Sequence, residues 1–336
     1  MVCDNVFRSL TSYKDIFISL FMQPALDLFR ALADPSRLRI MALVRSMELS
    51  IGELAEVLGQ SQPRVSRHVR ILAEAGLLVR HKEGAWVFLR IEGAGLAGEV
   101  GGLLDRMLDG SAAVAADMRR LDEIRARRVA EMRSYFDAHA EGWDGIRSMH
   151  VSDDEVEAAI LRALAARPVG YLLDVGTGTG RMLELLAPGS RGAIGVDRSA
   201  DMLRVARGKL EAAQLGHCEV RQADMYALPQ ADGSIDTVLL HQVLHYADNP
   251  SGAIAEAARV LAPGGRLLVV DFAPHTLEEL RANHAHTRLG FADDAVLGWM
   301  RESGLEGRVM DHLKGGTLTV SIWLGEKTPL AKRKAA

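Results

Sequence analysis

Cysteine is nearly absent from these 336 residues: there are two, Cys3 and Cys218, far apart in the chain. So few thiols exclude a disulfide framework and a Cys-based zinc site, and they suit a reducing compartment. Long apolar runs are also lacking. The stretch Ile16–Met22 is far too short to span a bilayer, and it has neither a basic lead-in nor a small-residue cleavage signature. Charge of one sign is missing as well: the formal net charge is −4, so there is no global attraction to nucleic acid and charge must be read locally. These absences predict a cytoplasmic protein with no membrane partner. The length exceeds one typical domain, and a hydrophobic content of 48% supplies two cores without a metal or disulfide staple.

What is present begins at Pro24. This leaves residues 1–23 as an N-terminal extension and makes Met22 an alternative translation start. Residues 24–92 alternate helical patterns with turns. Ala25–Ala33 is followed by Pro35–Val44, with Asp34 placed to cap and Pro35 in the first helical position. Ile51–Leu58 stops at Gly59, and Gln62–Ala75 stops at Gly76. Strands Leu77–Lys82 and Ala85–Ile91 then join at Lys82-Glu83-Gly84. Helix, tight turn, helix and hairpin predict a winged helix-turn-helix, mainly α with a β-hairpin wing.

Between Gln60 and Lys82 five basic residues stand against Glu74 alone. Ser61, Gln62, Arg64, Ser66, Arg67, His68 and Arg70 occupy the second helix and its start, the element such motifs place in the major groove. Arg80 and Lys82 lie on the wing, suited to phosphate or the minor groove. The alternative is a solvated basic face on a winged helix that binds protein.

The segment resembles the ArsR family of bacterial regulators. The resemblance lies in Leu32-Ala-Asp34-Pro-Ser-Arg37-Leu-Arg-Ile, in Glu53-Leu-Ala-Glu56-Val-Leu-Gly and in Ser66-Arg-His68-Val-Arg-Ile-Leu72. It implies a homodimeric repressor on an inverted-repeat operator in double-stranded DNA. One departure matters. Where metal-sensing members carry Cys-x-Cys, this chain has Ser50 and Gly52, so no thiolate metal site is expected and a signal must enter elsewhere.

Residues 93–134 read as a helical connector and a candidate dimerisation segment. Positions 92–110 are glycine-rich and show no clear element, whereas Ser111–Asp137 reads as a long amphipathic helix. Val114, Met118, Leu121, Ile124, Val129, Met132 and Phe136 follow its period. That stripe either pairs with its copy in a dimer or packs on its own chain.

Residues 135–325 turn to strand–helix alternation. Strand candidates are Tyr171–Val175, Gly192–Val196, Cys218–Arg221, Ile235–Leu240 and Arg266–Phe272, and Gly307–Leu313 and Thr317–Gly325 follow as a hairpin. Helical patterns at Arg181–Leu186, Ala200–Ala213 and Pro250–Leu261 lie between them. This predicts an α/β Rossmann-like domain with a mostly parallel sheet and an antiparallel last strand. The basic, patternless residues 326–336 read as a disordered tail.

The strongest signal is Leu172-Leu-Asp174-Val-Gly176-Thr177-Gly178-Thr-Gly180: a buried strand, three alternating glycines and then a helix. Glycines let a ligand approach the backbone, and the helix start offers unpaired N–H groups. In a dinucleotide fingerprint the third glycine would fall at Arg181, so that reading fails. The GxGxG form resembles the first motif of class I S-adenosylmethionine-dependent methyltransferases. Gly195-Val196-Asp197-Arg198 closes the next strand, with Asp197 placed to accept ribose hydroxyls and Met202 just beyond. The resemblance extends to Asp224 and Met225 beside adenine, to His241 and Gln242 after the fourth strand, and to Tyr135 and Trp143 in a lid helix. It implies S-adenosylmethionine or S-adenosylhomocysteine as cofactor.

Methyl transfer needs a positioned nucleophile and, for many acceptors, a base. Candidates for that role are His241, His245 and His284. His284 and His286, two apart, would face differently on a helix, which argues against a metal pair. Two functions stay open: a transcriptional regulator that senses the cofactor and controls methyl-cycle genes, or a working small-molecule methyltransferase with an autoregulatory DNA-binding domain.

Overall fold

The computed structural model describes residues 23–46, 49–83, 86–91, 96–140 and 152–329. Their contacts divide into two compact units between Ala126 and Arg127.

In the first unit, helix α1 (23–32) leads to α2 (Pro35–Ser46). Asp34 starts α2 as expected, accepting the amides of Ser36 and Arg37 at 2.8 and 3.2 Å. A short strand β1 (Leu49–Ser50) precedes α3 (Ile51–Leu58). Ser50 caps α3 in a reciprocal box: its hydroxyl accepts the Glu53 amide at 3.2 Å while the Glu53 carboxylate accepts the Ser50 amide at 2.9 Å. The position that could have held a metal thiolate is therefore a helix cap. Helix α4 (Gln62–Glu74) and strands β2 (Val79–Glu83) and β3 (Trp86–Arg90) complete the winged helix. The sheet order is β1-β3-β2, with Leu49 opposite Leu89.

The glycine-rich stretch without an assigned element contains helix α5 (Leu96–Leu108). Its Leu104 is buried in the same core as Ile40, Leu54, Val65, Leu72 and Leu89. The long helix α6 (Ala112–His139) follows. Leu121 and Ile124 from its first half enter that core too, so this part of the apolar stripe packs on its own chain.

In the second unit, α7 (Asp153–Leu164) precedes a seven-stranded sheet. Its strands are β4 (Gly170–Val175), β5 (Ser190–Asp197), β6 (Cys218–Gln222), β7 (Ile235–His241), β8 (Leu261–Phe272), β9 (Leu305–Lys314) and β10 (Thr319–Lys327). The order is β6-β5-β4-β7-β8-β10-β9, with β10 antiparallel to both neighbours and the β4–β5, β4–β7, β5–β6 and β7–β8 pairs parallel. Helices α8 (Arg181–Leu186), α9 (Ala200–Ala212), α10 (Pro250–Val260), α11 (Glu278–Asn283) and α12 (Asp293–Glu302) complete the unit. The central strands are apolar on both sides because both faces are covered. Leu239 and Leu268 join one core cluster, and Val238 and Val269 join the other. The strand order reverses between β4 and β7, and in open α/β sheets that reversal opens a ligand crevice at the carboxyl ends of the strands.

Strand β10 runs through Lys327, so a patternless tail does not start at residue 326. Glu326 accepts from Arg167 at 2.7 Å and from Arg308 at 2.9 Å, ion pairs between distant segments that sequence spacing does not reveal. Residues 330–336 lie outside the described part. Among the described residues no helix is long and apolar enough to cross a membrane.

Candidate functional site

A cavity of about 420 Å³ lies at the reversal point, within the roughly 300–1,000 Å³ typical of small-ligand sites. The loop after β4 forms one wall. Gly176 has φ +73°, and a Cβ there would stand 2.3 Å from the Val243 side chain, so only glycine fits. The amides of Gly176 and Thr177 donate to Val196 O at 2.8 and 2.9 Å, tying the loop to β5. Beneath it the Thr177 hydroxyl donates to Asp174 at 2.6 Å. Gly180 (φ +84°) begins α8, and its own Cβ would meet Ala206 at 3.1 Å. That glycine packs helices rather than lining the cavity.

Asp197 closes β5 on the cavity floor. Its two oxygens accept the amides of Gly178 and Ser199, each at 2.9 Å. Burial raises its pKa, against the opposing pull of those amides. Arg198 and Asp224 pair at 3.2 Å, and Met202, Met225 and Val243 add apolar wall. At the end of β7, Gln242 takes φ +49°, a conformation uncommon for a side-chain-bearing residue, and its amide donates to Val270 O at 2.7 Å.

Eleven residues singled out in the sequence thus line one cavity: Asp174, Gly176, Thr177, Gly178, Asp197, Arg198, Met202, Asp224, Met225, His241 and Gln242. Tyr135 does not line it. Its hydroxyl shares a 2.8 Å hydrogen bond with His284 Nδ1, and its neighbour Phe136 faces the cavity instead. Trp143 lies outside the described residues. Sequence reading missed Phe136, Tyr226 and Tyr246 in the wall, and Arg181, which pairs in a fork with Glu157 at 2.7 and 2.8 Å. Nothing in the local pattern marks these, because the contacts cross distant segments. The stretch from His284 to Arg288 is a turn after α11, not a helix.

Among the catalytic candidates, His241 reaches the cavity, whereas His245 and His284 do not line it. His245 is buried, with Nδ1 2.8 Å from Asp271 Oδ1.

On the first unit, Val65, Val69 and Leu72 hold α4 to the core. The opposite face presents Gln62, Arg64, Arg67 and Arg70, with Ser61 exposed at the cap and Ser66 half-buried. Arg80 is exposed on β2, and the Lys82 side chain is outside the described part. His68 is the exception. It sits on the buried face, 3.9 Å from Asp34, because its position falls on the same side of the helix as Val65 and Leu72. It cannot enter a groove, and sequence had grouped it with the contact residues only by proximity. Burial lowers its pKa, with Asp34 opposing.

Two family models match. "Bacterial regulatory protein, arsR family" covers residues 34–79, and "Methyltransferase domain" covers 173–269. The ubiquinone/menaquinone biosynthesis C-methyltransferase UbiE of Syntrophotalea carbinolica is 32% identical over 189 residues, 48% of this chain and 79% of that protein. The chain belongs to the class I methyltransferases and carries an arsR-family winged helix. On the regulator side, the arsenical resistance operon repressor of Escherichia coli K12 is 44% identical over 72 residues, 21% of this chain and 61% of that one. The YcgJ protein of Bacillus subtilis, among solved structures, is 18% identical with a TM-score of 0.47, covering 53% of this chain and all of that one. The chain spans 40–62% of the length of the first curated relatives it matches. A methyltransferase domain of this class takes S-adenosylmethionine, or S-adenosylhomocysteine after transfer, and the cavity suits them: a glycine loop at a helix start, a floor carboxylate and methionine-rich walls.

Proposed function

We propose that the chain is a transcriptional repressor whose DNA affinity is set by S-adenosylmethionine or S-adenosylhomocysteine in the methyltransferase-like cavity. The observation that carries this is helix α6. Near its start, within the first unit, Asp117 is fully buried between Arg39 and Arg120. Near its end, within the second, Phe136 lines the cofactor cavity and packs against Tyr246 at 4.9 Å between ring centroids. One continuous element therefore takes part in both the DNA-binding core and the ligand wall. A ligand that favours one position of that element shifts DNA affinity by no more than its own preference between the states.

In this reading residues 24–92 bind DNA, 93–134 connect and dimerise, and 135–325 hold the ligand. Asp197 takes the ribose hydroxyls, Asp224 and Met225 the adenine, and the loop Gly176–Gly180 the methionyl end. A homodimer is supported by apolar side chains exposed on the first unit: Leu26 and Phe29 of α1, and Leu96, Leu103 and Met107 of α5. Two recognition helices then address half-sites about one DNA turn apart on an inverted repeat. Release by S-adenosylhomocysteine fits a repressor of methyl-cycle genes, since that product inhibits transfer and must be cleared.

Nuclease footprinting upstream of the chain's own gene tests this. Two protected half-sites that clear on adding S-adenosylhomocysteine are expected, and protection unchanged at saturating ligand overturns it. A second reading, methyl transfer to a small molecule, is favoured by the buried pair His245–Asp271.

A further inference from the structure

His245 Nε2 is a buried ring nitrogen without a hydrogen-bond partner. The opposite nitrogen, Nδ1, lies 2.8 Å from Asp271 Oδ1, and the His245 amide donates to Asp271 Oδ2 at 3.2 Å. A carboxylate facing Nδ1 only accepts, so that nitrogen carries a proton, and in the neutral ring Nε2 then keeps its lone pair. The imidazole is thus oriented by a carboxylate on one side while its basic atom is left over on the other.

Its surroundings are aromatic. The ring centroids of Tyr246, His286 and Phe272 stand 4.0, 4.1 and 5.1 Å from that of His245. Tyr246 is also a wall of the cofactor cavity, so the dyad is one residue removed from it. Two side-chain-bearing residues adopt left-handed backbone beside it: Gln242 at φ +49° and Ala285 at φ +55°, next to His286. Strain of this kind persists where packing over-determines a functional geometry.

We propose that His245 and Asp271 form a proton-accepting dyad, and that the domain methylates a hydroxyl group on an aromatic or similarly flat apolar acceptor seated against Tyr246 and His286. The inference rests on the cofactor reading above and adds chemistry to it. When bound, S-adenosylmethionine supplies an electrophilic methyl group. The acceptor oxygen attacks that methyl, the methyl–sulfur bond breaks with its electron pair going to sulfur, and the hydroxyl proton passes to His245 Nε2. Asp271 is a positioning residue: it fixes the tautomer and faces the imidazolium that forms. His286 is buried with its ring centroid 4.1 Å from that of His245, so the acceptor reaches Nε2 only when that ring turns aside.

Nitrogen-15 NMR of the full chain labelled at histidine decides this, read first without ligand. The expected wild-type signal is a His245 protonated at Nδ1 and bare at Nε2, a preference lost in Asp271→Asn. After calorimetry has confirmed S-adenosylhomocysteine binding, 1-naphthol is added as the probe. It should shift the His245 Nε2 resonance and leave that of His312 in place. A proton resident on Nε2, or an Nε2 resonance unmoved by 1-naphthol, overturns the dyad. Failure of the calorimetric titration counts against the cofactor reading instead, since the tautomer is measured without ligand.

Discussion

Arg39 grips Asp117 with two parallel hydrogen bonds, Nε to Oδ2 at 2.5 Å and Nη2 to Oδ1 at 2.6 Å. The residues are 78 positions apart, and the pair fastens α6 to α2 in the first unit. Arg120 adds a third contact to the same carboxylate and donates through Nε to Val57 O at 2.6 Å. The Asp117 hydrogen bond raises the Arg39 pKa despite partial burial.

Asp117→Asn should lower the stability of the first unit. Removing one partner of a buried pair costs about 3–5 kcal/mol, and the value should fall near the lower end because the Arg39 side chain keeps 22% exposure. Urea unfolding measures it. Cofactor affinity of the second unit should stay within about twofold, and an unchanged urea midpoint would show that the pair contributes nothing.

On α4, Arg64→Ala and Arg67→Ala should each weaken DNA binding. If each removes one phosphate contact, the slope of log affinity against log salt should shrink by about 0.9 per site. His68→Ala should leave that slope alone and instead reduce stability, because His68 is buried. Equal salt slopes for wild type and both arginine variants would remove α4 from the interface.

The pH dependence of the first unit follows from His68 and Asp34. Burial lowers the folded-state pKa of His68 below its ordinary 6.5. The unfolded chain therefore binds more protons there, and stability is full above about 6.5 and declines as pH falls toward the folded value. Burial pushes the Asp34 carboxyl up, but the amides of Arg37 and Ser36 and the neighbouring charges outweigh it and hold it below 3.8. Its contribution is present above that value and is lost as pH falls through the lower folded-state pKa. Urea midpoints between pH 8 and 5 should fall in the wild type and fall less in His68→Gln. Parallel curves would contradict the assignment.

In the cavity, Gly176→Ala should damage cofactor binding more than its single methyl suggests, since φ +73° and Val243 at 2.3 Å both oppose a Cβ. Asp197→Ala should weaken binding by roughly 10- to 100-fold, the loss of about 1.5–3 kcal/mol for hydrogen bonds to a charged group. Calorimetry with S-adenosylhomocysteine reads both. Wild-type affinity in Asp197→Ala would remove that carboxylate from the site.

Most of this architecture was legible because local signals agreed with the fold. The run Leu172–Val175 and its glycines fix strand, turn and helix start together, and the pattern from Pro250 marks α10, which the structure caps with Asn249, its side chain accepting the Gly252 amide at 3.0 Å. Helix α5 was not legible because Gly98, Gly101 and Gly102 lower its helix propensity. Tertiary packing overrides that: a Cβ at Gly101 would stand 2.9 Å from Arg45 Nη1, so the glycine makes room for the arginine that pairs with Asp105. Short-range pattern likewise hid Asp271, which reads as one polar residue ending an apolar strand. Besides the adjacent Phe272 amide, its partner is His245, brought to it by the turn after β7.

Ligand-gated DNA binding is tested most directly by fluorescence anisotropy of the full chain on its promoter DNA, titrated with each cofactor form, and by the affinity of S-adenosylhomocysteine with and without that DNA. Coupling between sites is reciprocal and typically about 5- to 150-fold. S-adenosylhomocysteine should weaken DNA binding by a factor in that range, DNA should weaken S-adenosylhomocysteine binding by the same factor, and S-adenosylmethionine should act less. Superimposable DNA isotherms at saturating cofactor would contradict the sensor and leave the second unit as an enzyme carried beside a DNA-binding module.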